Sequence, residues 1–114
     1  MPVPEIELPE VALLAADLIR FDTSNFGGGN ARGEREAAEY VGAYLEQLGL
    51  TTEYFEPVPR RTNLMARVPG RDRNKPALVV HGHLDVVPAM ADEWSVDPFA
   101  GIVCLLYTSP SPRD

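Results

Sequence analysis

Both histidines of the chain stand one residue apart in VVHGHLDVVP, residues 79–88, and an aspartate follows two positions after the second. Neutral imidazole is a good zinc ligand. Its second ring nitrogen normally takes a carboxylate, carbonyl or water partner, which fixes the tautomer and raises ligand basicity. A His-x-Asp unit therefore supplies a ligand and a group to orient it. If the backbone stays extended through Asp85, side-chain alternation puts His81, His83 and Asp85 on one face. The spacing alone leaves open whether Asp85 meets the metal or the imidazole. A histidine at a strand end also serves as a plain local hydrogen-bonding group, and short motifs of this kind recur by chance.

Something must hold that segment in place. ALVVHG, residues 77–82, is a short apolar run consistent with a buried strand. Ligands of open α/β sheets commonly sit at the carboxyl edge of such strands. Upstream, residues 9–22, PEVALLAADLIRFD, read as a helix with Val11, Leu14, Ala15 and Leu18 on one face. Pro9 suits its first turn and Glu10 its positive end. TSNFGGGNARG then reads as a flexible connector, lacking the Lys-Ser/Thr of a phosphate loop and the spaced glycines of a dinucleotide site. Residues 33–48 form the clearest helix, with Ala37, Val41, Tyr44, Leu45 and Leu48 as its stripe. Glu34, Glu36, Glu39 and Glu46 fall largely off that stripe, and Gly49 is placed to end the helix. TTEYFEPV reads as a strand stopped by Pro57 and Pro59. TNLMARVPG alternates Leu64, Ala66 and Val68 against Asn63, Met65 and Arg67, as a strand with one wetter face does. GRDRNKP is a polar turn before ALVV. The order helix, helix, strand, strand, strand implies an α/β class with helices packed on a sheet.

Bulk properties narrow the partners. The chain has 114 residues and a formal charge of −7, with no basic footprint for nucleic acid. No apolar run approaches the roughly 20 residues that span a bilayer. The opening MPVPEIELPE has acids where a signal peptide needs basic residues. Cys104 is the single cysteine, so no internal disulfide forms. A cytoplasmic protein is the expectation.

GHLDVVP, residues 82–88, resembles the first metal-site motif, Gly-His-x-Asp-x-Val-Pro, of the zinc-dependent acetylornithine deacetylase, succinyl-diaminopimelate desuccinylase, aminoacylase and carboxypeptidase family. EWSVDPF is similar to that family's Trp-x-x-Asp-Pro-Phe segment, through Trp94, Asp97, Pro98 and Phe99. LIRFDTSN and RTNLMARVPG resemble its first helix end and an early strand. The resemblance runs over residues 9–103. It implies that His83 is a metal ligand and that Asp85 is a catalytic-site residue hydrogen-bonded to its imidazole. His81 has no assigned role. Trp94 and Phe99 are expected to pack, with Asp97 near the cleft. The implied fold is the N-terminal part of a zinc-exopeptidase-like catalytic domain, with helices on a mixed sheet, incomplete within this chain. The implied cofactor is zinc, two ions in the complete enzyme, with cobalt or manganese as alternatives. The implied substrate is a small N-acyl amino acid or peptide, the parent a homodimer, and neither nucleic acid nor membrane is a partner.

Rival patterns use the same residues. His-x-His-x-Asp also occurs in metallo-β-lactamases, where a further His follows, but position 86 is Val. It also resembles the His-x-His strand end of amidohydrolase barrels, which usually lies on the first strand. A non-catalytic binding module is the third alternative. A hydrolytic zinc site needs about three protein ligands and a base. The resemblance puts the remaining ligands and the glutamate base downstream, and CLLYTSPSPRD after Val103 has neither His nor Glu. Every residue from Cys104 to Asp114 agrees with one reading frame of a transposase-based sequencing-library adapter. Residues 104–114 are thus expected to be a non-native tail, and 1–103 the native portion of a hydrolase that is inactive by itself.

Overall fold

The computed structural model describes residues 7–103. The tail expectation for residues 104–114 lies outside them. Among the described residues, two helices and one antiparallel hairpin make up the regular structure: α1 (Glu10–Ile19), α2 (Arg35–Gln47), β1 (Thr52–Val58) and β2 (Arg61–Ala66), with a single 3-10 turn at Ala91–Glu93. This is a small α/β arrangement whose sheet has two strands. The chain divides into two compact units, one formed by the segments up to Asp22 and from Ala89, the other by Thr23–Pro88.

In the first unit, α1 starts behind Pro9, whose carbonyl accepts the Ala12 and Leu13 amides. The buried residue is Ala16, flanked by half-buried Ala12, Leu14 and Leu18. Val11 and Ala15, expected on the packing stripe, are exposed instead. Gly101 packs against the α1 backbone at Ala16. A Cβ on Gly101 would lie 2.5 Å from the Ala16 carbonyl oxygen, so only glycine fits there. Arg20 ties the same segments, its Nε donating to the Ala100 carbonyl at 3.3 Å. Trp94, expected to pack, is 41 % exposed. Phe99 is half-buried, and its amide donates to the Asp97 carboxylate at 2.9 Å in a local turn.

In the second unit, α2 packs on the β1–β2 hairpin. Ala37, Ala38 and Gly42 are its buried residues, and Val41, Tyr44 and Leu45 are half-buried beside them. Leu48 is exposed at the helix end, where the Gly49 amide donates to the Glu46 carbonyl. Glu36, Glu39 and Glu46 face outward as expected, but Glu34 is buried. The hairpin pairs Thr52 with Ala66 and Tyr54 with Leu64, then loses register between Phe55 and Val58. Pro57 lies in that gap, since it has no N–H for the ladder. Arg60 takes a left-handed φ of 66° at the turn. On β2, Thr62, Leu64 and Ala66 are covered while Asn63 and Met65 are exposed, the expected alternation; Val68 lies beyond the strand and is exposed.

The third strand does not form. Residues 77–82 carry no ladder among the described residues, and Leu78, Val79 and Val80 are 87, 79 and 84 % exposed. A buried strand needs a neighbour for its amides and a cover for its side chains. The hairpin gives it neither, because its two strands pair only with each other among the described residues.

Gly33 joins the loop to α2 at φ +95°, and a Cβ there would lie 2.5 Å from the Arg60 Cβ and 2.8 Å from the Arg60 carbonyl oxygen. Gly33→Ala is therefore expected to destabilise the protein by about 1–3 kcal/mol, the usual cost of a strained backbone position. The midpoint of urea unfolding of the full-length protein checks this. An unchanged midpoint would mean that the loop and the Arg60 turn can separate freely.

Candidate functional site

The segment carrying the histidines is clipped to the loop that precedes α2. Ser24 forms an isolated parallel bridge with Val86. The Asn25 amide donates to the Val86 carbonyl at 2.8 Å, and the Val86 amide donates to the Thr23 carbonyl at 3.1 Å. The buried Thr23 hydroxyl donates to the Leu84 carbonyl at 2.7 Å. These three hydrogen bonds, two of which make up the bridge, hold Thr23 and Ser24 in the interior and satisfy the buried Thr23 hydroxyl. They also correct the reading of TSNFGGGNARG as a plain connector. Its glycines form a tight reversal, with the Phe26 amide on the Asn30 carbonyl and Gly27, Gly28 and Gly29 all at positive φ. Its first residues hold the candidate site.

Asp85 sits at the centre of that site and divides its two oxygens between different partners. Oδ2 accepts the Asn25 Nδ2 amide at 2.9 Å and lies 3.5 Å from the Arg61 guanidinium. Oδ1 lies 3.0 Å from His83 Nδ1. The same ring nitrogen is 2.8 Å from the Asp85 backbone carbonyl. The Asn25 amide holds the Asp85 carboxyl below its ordinary value, with His83 and Arg61 helping and partial burial opposing. The depressed carboxyl contributes stability that is present above its unfolded value and lost as pH falls through the folded one.

The His83 tautomer follows from these neighbours. A carbonyl oxygen and an ionised carboxylate can only accept. Nδ1 must therefore carry the proton, and in the neutral ring the lone pair is on Nε2. The ring is 83 % exposed, so Nε2 is open for coordination. The carboxylate and the carbonyl lock its tautomer in the manner usual for a ligating histidine.

Arg61 links the site to α2. Its Nε donates to Glu34 Oε2 at 3.0 Å, and its other end faces Asp85. The Glu34 side chain is only 7 % exposed. Glu34 is the N-cap residue of α2 but makes no side-chain cap. Its carboxylate turns to Arg61, while its amide donates to the Arg60 carbonyl at 2.7 Å. The other carboxylate oxygen, Oε1, is buried without a hydrogen-bond partner.

His81, expected to share a face with His83 and Asp85, is exposed and makes no polar contact among the described residues. Residues 81–85 form no strand, so the alternation that would have aligned the three groups does not apply. Asn25, Arg61 and Glu34 were not among the expected site residues. The signal for two of them lay in LIRFDTSN and RTNLMARVPG, the upstream stretches whose resemblance had been read as structural.

The donor set fits one metal ligand and its orienting carboxylate. Among the described residues no group of three or more His, Cys, Asp or Glu side chains is gathered as a metal site.

Comparison with known proteins agrees with the motif. A succinyl-diaminopimelate desuccinylase of Methylobacterium radiotolerans is 39 % identical over 106 residues, covering 87 % of this chain. Aminoacylase-1 of Mus musculus is 30 % identical over 100 residues, covering 84 % of it. The chain is thus similar to a desuccinylase and to an aminoacylase over most of its own length. An N-formyl-4-amino-5-aminomethyl-2-methylpyrimidine deformylase of Bacillus subtilis is 29 % identical over 92 residues, covering 79 % of this chain. The chain spans only 25, 22 and 21 % of the lengths of those three relatives. No protein-family model matches the chain, and no solved structure matches it. No helix among its described residues is long and apolar enough to cross a membrane.

Proposed function

We propose that this chain is the N-terminal portion, residues 1–103, of a zinc-dependent hydrolase that cleaves the amide bond of an N-acyl amino acid or small peptide. The observation that carries the reading is His83, which is held through Nδ1 by Asp85 with Nε2 left open, in a chain similar to a desuccinylase and to an aminoacylase. His83 supplies one ligand to a two-zinc centre that also accepts cobalt or manganese. Asp85 holds the ring and its proton. When bound, zinc polarises the amide carbonyl and lowers the pKa of the attacking water. The remaining ligands and the glutamate base belong to the larger part of the enzyme, built on a zinc-exopeptidase-like mixed sheet. The 114-residue chain by itself is inactive, because one imidazole leaves a zinc ion mostly water-bound. The reading includes a cytoplasmic, homodimeric parent without nucleic-acid or membrane partners, and the charge of −7 supports the exclusion of polyanions.

The test is the full-length protein, stripped of metal and assayed with a panel of N-acyl amino acids. Free amino groups should appear after zinc is added and stop appearing when a chelator removes it. A metal-loaded, folded protein that releases no amino acid from any acyl derivative or dipeptide would defeat the reading.

A further inference from the structure

We propose that Asn25 and Arg61 are positioning residues that hold the Asp85 carboxylate in one orientation for His83, and that buried Glu34 locks Arg61 for this task. The proposal rests on the reading of His83 as a metal ligand, but the geometry behind it belongs to this chain's own side chains.

An aspartate carboxylate rotates over a broad torsional range unless its oxygens are engaged. Here Oδ2 is taken by Asn25 at 2.9 Å and faced by Arg61 at 3.5 Å, which leaves Oδ1 to His83 at 3.0 Å. Each holder is itself held. The Asn25 Oδ1 accepts the Gly27 amide at 2.9 Å. That bond fixes which end of the side-chain amide faces Asp85, because the flipped amide would set N–H against N–H and oxygen against carboxylate. The Asn25 backbone is bound to Val86, in the same segment as Asp85. Arg61 is a planar fork suited to two carboxylates at once, and Glu34 takes its Nε. Glu34 is fixed at the start of α2, its carbonyl accepting the Ala38 amide at 2.8 Å. A buried carboxylate that forgoes both a helix cap and a partner for Oε1 is costly, so its place beside Arg61 needs a reason. Orienting the guanidinium toward Asp85 supplies one. Two stretches far from Asp85 in sequence, at Asn25 and Arg61, thus converge on its carboxylate.

The experiment uses the full-length protein and the variants Asn25→Asp, Arg61→Ala, Arg61→Lys and His83→Ala. Asn25→Asp keeps the size and the acceptor for the Gly27 amide but loses the donor to Asp85, so the loop stays folded. Two readouts are taken in mildly alkaline buffer. One is the imidazole tautomer of His83 in metal-free protein, by nitrogen NMR. The other is zinc affinity, by competition with a chromophoric chelator. Asn25→Asp and Arg61→Ala should each shift His83 from the single Nδ1–H tautomer to a mixture and weaken zinc about 10-fold, the lower end for outer partners of a ligand. Arg61→Lys should not rescue, because a point charge cannot bridge Glu34 and Asp85. The wild-type tautomer in both Asn25→Asp and Arg61→Ala would overturn the proposal. If His83→Ala binds zinc as tightly as wild type, the ligand reading fails separately, and the metal-free tautomer alone decides whether Asn25 and Arg61 position Asp85.

Discussion

His83→Ala in the full-length protein is expected to lower amide hydrolysis by more than about 100-fold and to remove one zinc equivalent, exceeding the cost of losing an outer partner. Among the described residues the ring is the only group in the site with an open nitrogen lone pair, and no further ligand is gathered beside it to take its place. Asp85 has both oxygens engaged, and His81 is exposed without a partner among the described residues. Asp85→Ala should cost about 10–100-fold, because it removes the carboxylate that fixes the tautomer but leaves the ligand. The Asp85 backbone carbonyl, 2.8 Å from Nδ1, would still hold the ring in part, which favours the lower end of that range. His81→Ala should leave both zinc content and turnover close to wild type. Zinc content by atomic absorption and kcat/KM with one good acyl substrate check the series. A fully metallated, fully active His83→Ala protein would refute the ligand assignment. Equal losses in His81→Ala and His83→Ala would show a His-x-His pair and favour a different class of hydrolase.

Much of this site was legible because its chemistry is local. His83 and Asp85 are two residues apart, so the motif brings them together whatever the rest of the chain does. The helices were legible for the same reason, since α2 has its stripe, its outward glutamates and Gly49 all within one continuous stretch. What could not be read were contacts set by tertiary packing. Asn25 reaches Asp85 across 60 positions, and Arg61 reaches it across 24. No periodicity encodes such a meeting. Glu34 falls largely off the α2 stripe by helical spacing, and that spacing points it outward. Its burial follows from the Arg60 turn closing over it and from Arg61 as its counter-charge. The α1 stripe holds at Leu14 and Leu18 but not at Val11 and Ala15, because the segment that packs on α1 meets it at the Ala16 backbone, where Gly101 comes close, and such a long-range contact leaves no trace in the periodicity. ALVV was read as a buried strand from composition, and composition says nothing about whether a partner strand is present.

That last point carries the second large effect. Residues 1–103, produced without further sequence, are expected to give a protein with no cooperative melt, prone to aggregation. Among the described residues the buried apolar side chains are Ala16, Ala37 and Ala38, and no large side chain is fully buried. Burying a leucine or valine stabilises by roughly 1.5–3 kcal/mol relative to leaving it in water. Leu78, Val79, Val80 and Val87 all forgo that gain, each about four-fifths exposed or more. Alanine burial cannot replace it, because its side chain is one methyl group, worth roughly 0.8 kcal/mol. Against this stands the entropy of ordering each residue, about 1–2 kcal/mol for the backbone alone. The hydrogen bonds that clip residues 23–25 to 84–86 are each worth about 1 kcal/mol net, and they define a local geometry without supplying a core. An extended apolar run with unpaired amides is also a template for other chains. Near-ultraviolet circular dichroism of Trp94 and the tyrosines should show little fixed packing, with a broad thermal transition and strong binding of an apolar dye. Sedimentation should show large species that diminish when Val79 and Val80 are replaced by threonine, which keeps the β-branched shape and adds a hydroxyl. A sharp cooperative melt from a soluble monomer would mean that the small side chains and polar clips suffice, and that the apolar run at 77–80 needs no partner strand to be tolerated.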